Sequence, residues 1–135
     1  MTSEPFRRNS QNRLPVLYAA LASGVVLYAA VLVFVLEPTL AVEDPTWLRV
    51  AWLAVAVGVT LMAGVIQARM RSGALDDSGR ASSALMVWAL AEGQALLGLT
   101  GYLLSGDRLL LILSLALFAY LYLRYPPAAF SPRAR

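Results

Sequence analysis

The chain has 135 residues, of which 59% are hydrophobic and 14% charged, with 11 basic residues against 8 acidic ones and neither His nor Cys. That much apolar surface exceeds what a soluble core of this length can hide, so a bilayer is the expected solvent. The absence of His and Cys removes the usual zinc, haem and iron-sulfur ligand sets, disulfides, thiol nucleophiles and imidazole bases; no catalytic, cofactor-binding or metal-binding set is expected, and the chain does not read as an enzyme.

Every basic residue is Arg, and the arginines are dispersed rather than gathered into a phosphate-binding tract, so the net charge of +3 does not point to nucleic acid. Residues 1–13, MTSEPFRRNSQNR, form a cytoplasmic N-terminal segment that can lie against anionic lipid with Phe6 dipping in. Between Arg13 and Glu37 run 23 uncharged residues, enough to cross a hydrocarbon core of about 30 Å at about 1.5 Å per residue. This predicts a first span over about 14–36, with Pro15 in its first turn. Ala20-Leu21-Ala22 mimics a signal-peptide cleavage site, but the apolar run continues well past it, and a retained span is expected.

After the acidic loop EPTLAVEDPT, a second span is predicted over about 47–68, with Asp44 and Pro45 as N-cap and first helical residue. Trp47 would sit at the interface, and Arg49 is close enough to the end to snorkel. The loop QARMRSGALDDSGR, with Asp76 and Asp77 between Arg71 and Arg80, reads as a solvated linker. A third span follows over about 82–104 and a fourth over about 107–125. The strictly uncharged part of the fourth, Leu109 to Leu123, is only 15 residues, so Arg108 and Arg124 must reach outward to the headgroups or the bilayer must thin. Ser105-Gly106-Asp107 reads as a helix stop and an Asp N-cap, hence a tight helical hairpin. Residues 126–135 form a Pro-rich tail expected to be disordered.

Nine arginines fall before the first span, between the second and third, or after the fourth; the other two loops hold only Arg49 and Arg108. This asymmetry predicts cytoplasmic termini at both ends. The expected fold is therefore all-α: a single integral membrane bundle of four transmembrane helices over 14–125, in a bacterial inner membrane.

The stretch WALAEGQALLGL, 88–99, carries Glu92 about ten residues from either end of its span, near the bilayer midplane. An ionised carboxylate there costs about 2.5 to 3.5 kcal/mol, so Glu92 must be neutral, paired or hydrated, and is a candidate proton- or cation-binding group. No Arg shares its depth. A hairpin turning near Gly106 brings Glu92 level with Leu121, so Tyr120 and Tyr122 are candidate hydrogen-bond partners, with Ser23 and Thr60 at usable depths in the first two spans. Gln94, two residues on, points roughly to the other side of the helix. Gly93, Gly98, Gly101 and Ser105 read as helix-packing positions, since small residues allow close approach in lipid. Most of the aromatic residues read as interfacial; Trp88 and Tyr120 lie deeper. ALASGVVL at 20–27 matches ALAEGQAL at 89–96 at five of eight positions, with Ser23 in place of Glu92, a pattern that a duplicated hairpin or low-complexity apolar sequence can each produce.

Ala89-Leu90-Ala91-Glu92, followed by Ala95 and Gly98-Leu99, resembles the carboxylate-bearing helix of the proteolipid c subunit of rotary ATP synthases. The resemblance implies that Glu92 is the proton-binding carboxylate, and it covers residues 47–105 at best. The second span departs from that family's glycine-dense partner helix, offering only Gly58 and Gly64, and the connecting loop lacks the family's Arg-Gln-Pro turn. Two functions are expected as alternatives: a protonatable site in proton or cation movement, in a homo-oligomer or larger membrane complex, or a non-catalytic accessory subunit in which Glu92 is a packing hydrogen bond.

Overall fold

A computed structural model describes residues 13–38, 42–73 and 75–130. The N-terminal segment before Arg13, Phe6 included, and the last five residues of the tail lie outside the described residues. Four α-helices follow in order: α1 (Leu14–Phe34), α2 (Thr46–Arg71), α3 (Asp77–Ser105) and α4 (Arg108–Arg124), closed by a 3-10 turn at Pro127–Phe130. No strand occurs among the described residues. α1, α2 and α3 are each long and apolar enough to cross a membrane. α4, with 17 residues, is shorter than they are.

The helix ends follow local chemistry. Pro15 sits in the first turn of α1, where a missing N–H is not missed. Asp44 stands one residue further out than the expected N-cap: Pro45 takes that position, and Thr46 N–H donates to Asp44 Oδ1 at 3.0 Å. α3 begins five residues earlier than the predicted span, because Asp76 caps it, its Oδ1 accepting from Gly79 N–H at 2.8 Å; Asp76 is therefore part of a helix start rather than a plain linker. At the other end, Gly106 ends α3 in the left-handed conformation, φ 68°, which a side chain would strain. Asp107 then caps α4 by accepting from Leu109 N–H at 3.1 Å, giving the tight hairpin expected from Ser105-Gly106-Asp107.

α3 is the central helix, packed against each of the other three. Half of its most apolar stretch is buried, against 17% for that of α1, although α3 is the less apolar of the two. In lipid this is the expected inversion: uniformly apolar helices lose nothing by facing acyl chains, while polar and small residues gain by facing other helices. Accordingly Phe34, Leu27, Leu61 and Leu123 point outward.

α1 runs parallel to α3, as successive contacts show: Tyr18 stacks edge-on against Trp88 (5.1 Å between centroids), and Tyr28 Oη lies 3.4 Å from Thr100 Oγ1. α1 packs on α3 rather than on α2, its neighbour in sequence, whereas α3 and α4 form a close antiparallel hairpin. The two halves that share the ALASGVVL and ALAEGQAL octets are thus packed differently.

In the tail, Pro127–Phe130 forms a 3-10 turn, and Phe130, 2% exposed, packs edge-on against Trp88 at 5.7 Å. Trp88 Nε1 donates to Tyr125 O at 2.9 Å, and Tyr18 Oη donates to Tyr122 O at 2.7 Å. An aromatic cluster of Tyr18, Trp88, Phe118, Tyr122 and Phe130 therefore ties α1, α3, α4 and the tail together. The two prolines limit the chain's conformations there, and the buried Phe holds the turn against α3.

Candidate functional site

The polar groups of α3 divide between two sides of the helix. On one side, Gln94 is 1% exposed at a junction of three helices. Its Nε2 donates to Ser114 O on α4 at 3.2 Å, and its own carbonyl accepts from Trp52 Nε1 on α2 at 3.2 Å. Gln94 Oε1 is buried with no hydrogen-bond partner among the described residues. One turn on, Gly98 lets the helices meet: an added Cβ would come within 2.8 Å of Trp52 Nε1 and 2.9 Å of Ser114 Oγ. Ser114 is itself fully buried and donates to Leu111 O at 3.0 Å.

Glu92 occupies the other side. It is half-buried on the edge of α3 that meets α1, and its Oε1 lies where a Cβ on Gly24 would be 3.6 Å away. No described group donates a hydrogen bond to its carboxyl, and no Arg pairs with it; the one ion pair among the described residues joins Arg49 and Asp107. Beyond Glu92 the surface of α3 is open, with Ala89, Gly93 and Thr100 exposed, and an added Cβ on Gly93 would meet nothing within 4 Å.

The four candidate hydroxyls are distributed as follows. Ser23 donates to Ala20 O at 2.8 Å and Thr60 donates to Ala56 O at 2.8 Å, so both satisfy their own helices and neither reaches Glu92. Tyr120 is 56% exposed on the outer face of α4. Tyr122 is 5% exposed, stacks on Tyr18 at 4.6 Å and lies within electrostatic reach of Glu92, yet its hydroxyl has no partner among the described residues. Of the four packing positions, Gly98 and Gly101 face close neighbours, the latter with Leu110 Cδ1 at 3.0 Å from an added Cβ, while Gly93 faces open space. Ser105 closes the helix end, donating to Gly101 O at 2.7 Å and accepting from Asp107 N–H at 3.2 Å.

At the hairpin end, Arg49 Nε on α2 is 2.5 Å from Asp107 Oδ2. The guanidinium bonded to it holds the Asp107 carboxyl below the usual carboxylate range, outweighing the opposing effect of burial. Arg49 reaches this carboxylate from the N-terminal end of α2 and fastens α2 to the α3–α4 turn.

Sequence reasoning put weight on Glu92 and passed over Gln94 and Ser114. The available signal was the i, i+4 spacing of Gln94 and Gly98: a polar and a minimal residue on one stripe of an apolar helix mark a close helix contact. Among the described residues no group of acidic side chains is placed to hold a metal ion. Comparison of the chain with protein-family models, with curated proteins and with solved structures finds no match.

Proposed function

We propose that the chain is a four-span protein of a bacterial inner membrane, with α4 as the fourth crossing and both ends in the cytoplasm, and that Glu92 is a protonatable site serving proton or cation movement in a subunit or oligomer. The arginine asymmetry, nine against two, supports the orientation. Arg108 and Arg124 bracket α4 and can extend its reach to the two headgroup layers. The likeness of 89–99 to the proteolipid helix supports the role of the carboxylate.

The observation that carries the reading is the open coordination of Glu92. A carboxyl kept in the middle of an apolar helix, half-buried and without a donor among the described residues, is free to gain and lose a proton or to meet a partner from outside. An accessory role that uses Glu92 as a packing bond within the chain has no described donor to rest on.

The test is an infrared difference spectrum of the protein in lipid while pH is scanned, beside Glu92→Gln. Gln keeps the shape and hydrogen-bonding capacity and removes the titration. A carboxyl stretch that comes and goes with pH in the native protein and is missing from the variant is expected. A spectrum with no titrating carboxyl that depends on Glu92 overturns the reading.

A further inference from the structure

Between Glu92 and the end of the bundle that carries both termini, aromatic rings fill the space among α1, α3 and α4. The bond from Trp88 Nε1 to Tyr125 O sets the register of the antiparallel α3 and α4. Glu92 lies four residues beyond Trp88, and Tyr122 three before Tyr125, which at 1.5 Å per residue is about 6 Å and about 4.5 Å along the bundle. The carboxyl and Tyr122 are therefore at nearly one depth. Below them lies Trp88, fully buried, with Tyr18 of α1 edge-on against it and stacked on Tyr122 at 4.6 Å. Past the end of α4, Phe130 completes the stack on Trp88, carried there by the Pro127–Phe130 turn, which packs on both α1 and α3.

The packing is one-sided. The ring-on-ring contacts among the described residues all belong to this cluster. In the other direction the seam between α1 and α3 leads from Glu92 to Tyr28 and Thr100, whose hydroxyls are 3.4 Å apart at an exposed edge. The outside of α3 below Glu92 is Ala89, Met86 and Leu85, an apolar surface suited to acyl chains rather than water. An approach from the end with the termini therefore runs through the cluster. Inside it lies the Tyr122 hydroxyl, buried without a partner among the described residues and within electrostatic reach of Glu92. A buried hydroxyl left unpaired is costly, so it gains by meeting water.

We propose that the Pro127–Phe130 turn is a strap that shuts the cytoplasmic approach to Glu92, and that withdrawal of Phe130 admits water first to the Tyr122 hydroxyl and then to the carboxyl. This rests on the reading of Glu92 as a protonatable group in a chain with cytoplasmic termini. Phe130 is the buried residue of a four-residue turn that follows the last helix, so it can leave without unfolding any of the four helices. Opening of such an end segment costs far less than global unfolding. With the strap seated, Phe130, Trp88 and Tyr18 keep water from the carboxyl on that side. With it lifted, the hydroxyl of Tyr122 acquires a partner, which offsets part of the apolar area exposed. The strap sets how fast Glu92 exchanges protons with the cytoplasm, and α1 and α3, which it bridges, stay in place.

The test uses the full-length chain inserted in one orientation in sealed lipid vesicles. The pH is stepped on one side at a time, and the Glu92 carboxyl stretch is followed by time-resolved infrared spectroscopy against a Glu92→Gln control. Phe130→Ala empties the strap without altering a helix. It is expected to speed the response to a step on the cytoplasmic side by about tenfold or more, a small part of what truncating a buried Phe makes available. The response to a step on the opposite side is expected to stay the same. Phe130→Leu, which keeps an apolar side chain in the gap, is expected to fall between the native and Phe130→Ala proteins. Equal cytoplasmic rates in the native and Phe130→Ala proteins overturn the proposal. So does an acceleration from both sides alike, the mark of a general loosening of the bundle. If no band that depends on Glu92 titrates from either side, the proton-site reading falls and the strap with it; a titrating band with rates indifferent to Phe130 sinks the strap alone.

Discussion

Gln94 and Glu92 are two residues apart on one helix, both polar and both deep in an apolar chain, yet their surroundings differ in every respect that matters. Gln94 is sealed among α2, α3 and α4, hydrogen-bonded to a backbone carbonyl on α4, beside a glycine that no larger residue can replace without displacement. Glu92 stands on a rim, with no described donor, beside glycines that leave room. The first arrangement is what a packing contact requires. The second leaves a charged or chargeable group available, which is wasteful for packing and useful for chemistry or for a neighbour.

The sharpest way to break this contrast is to exchange bulk between the two sides. Gly98→Leu puts a side chain where Ser114 and Trp52 already stand, and a loss of about 3 kcal/mol or more in reversible unfolding is expected, the upper end of overpacking in a close-packed interior. Gly93→Leu, on the open side, is expected to leave unfolding unchanged. Equal losses from the two substitutions would mean that the sides are not different.

Exchanging charge is the next largest perturbation. Gln94→Glu introduces an ionisable group into a sealed site with no cation, and a loss of about 2.5 to 3.5 kcal/mol at neutral pH is expected from membrane insertion scales. Glu92→Gln is expected to cost nothing measurable in stability. Thermal unfolding of both variants in one detergent measures the difference directly, and a Glu92→Gln protein that is the less stable of the two would return Glu92 to a structural role.

The smallest effect belongs to the hairpin end, where Arg49 and Asp107 join α2 to the turn. Asp107 titrates lower in the folded chain than in the unfolded one, so its contribution is fully present above the ordinary Asp value of about 3.9 and is lost as pH falls through the lower folded value. Stability is therefore expected to drop below about pH 4, and Asp107→Asn, which retains a capping oxygen, should flatten that drop. Asp107→Ala also removes the cap and is expected to cost about 1 kcal/mol on that account alone. An acid limb that is the same in Asp107→Asn and in the native protein would remove the ion pair from the account.

The depth of Glu92 and the tyrosines was readable by counting from Gly106, because helical rise and a tight turn are local properties. The position of Tyr120 was half readable: its level follows from that count, but it faces away from Glu92, since Phe118, Leu121 and Tyr122 take the inner face of α4. Ser23 and Thr60 fell away for another reason. In an apolar helix the nearest acceptor for a hydroxyl is its own backbone, three or four residues back, and both side chains take it.

What the sequence determined by itself is the all-helical character, three helices long and apolar enough to cross a membrane, the cap at Asp107 and the turn at Gly106. Each follows from composition or from interactions among residues a few positions apart. What only the tertiary structure decided is how each helix is rotated and which is central. α1 and α4 are apolar nearly all round, so no periodicity marks an inner face, and rotation is settled only when glycines, Ser114 and Trp52 from separate helices come into contact. That packing put Gln94 inside, left Glu92 on the rim, and drew Phe130 of the tail onto Trp88.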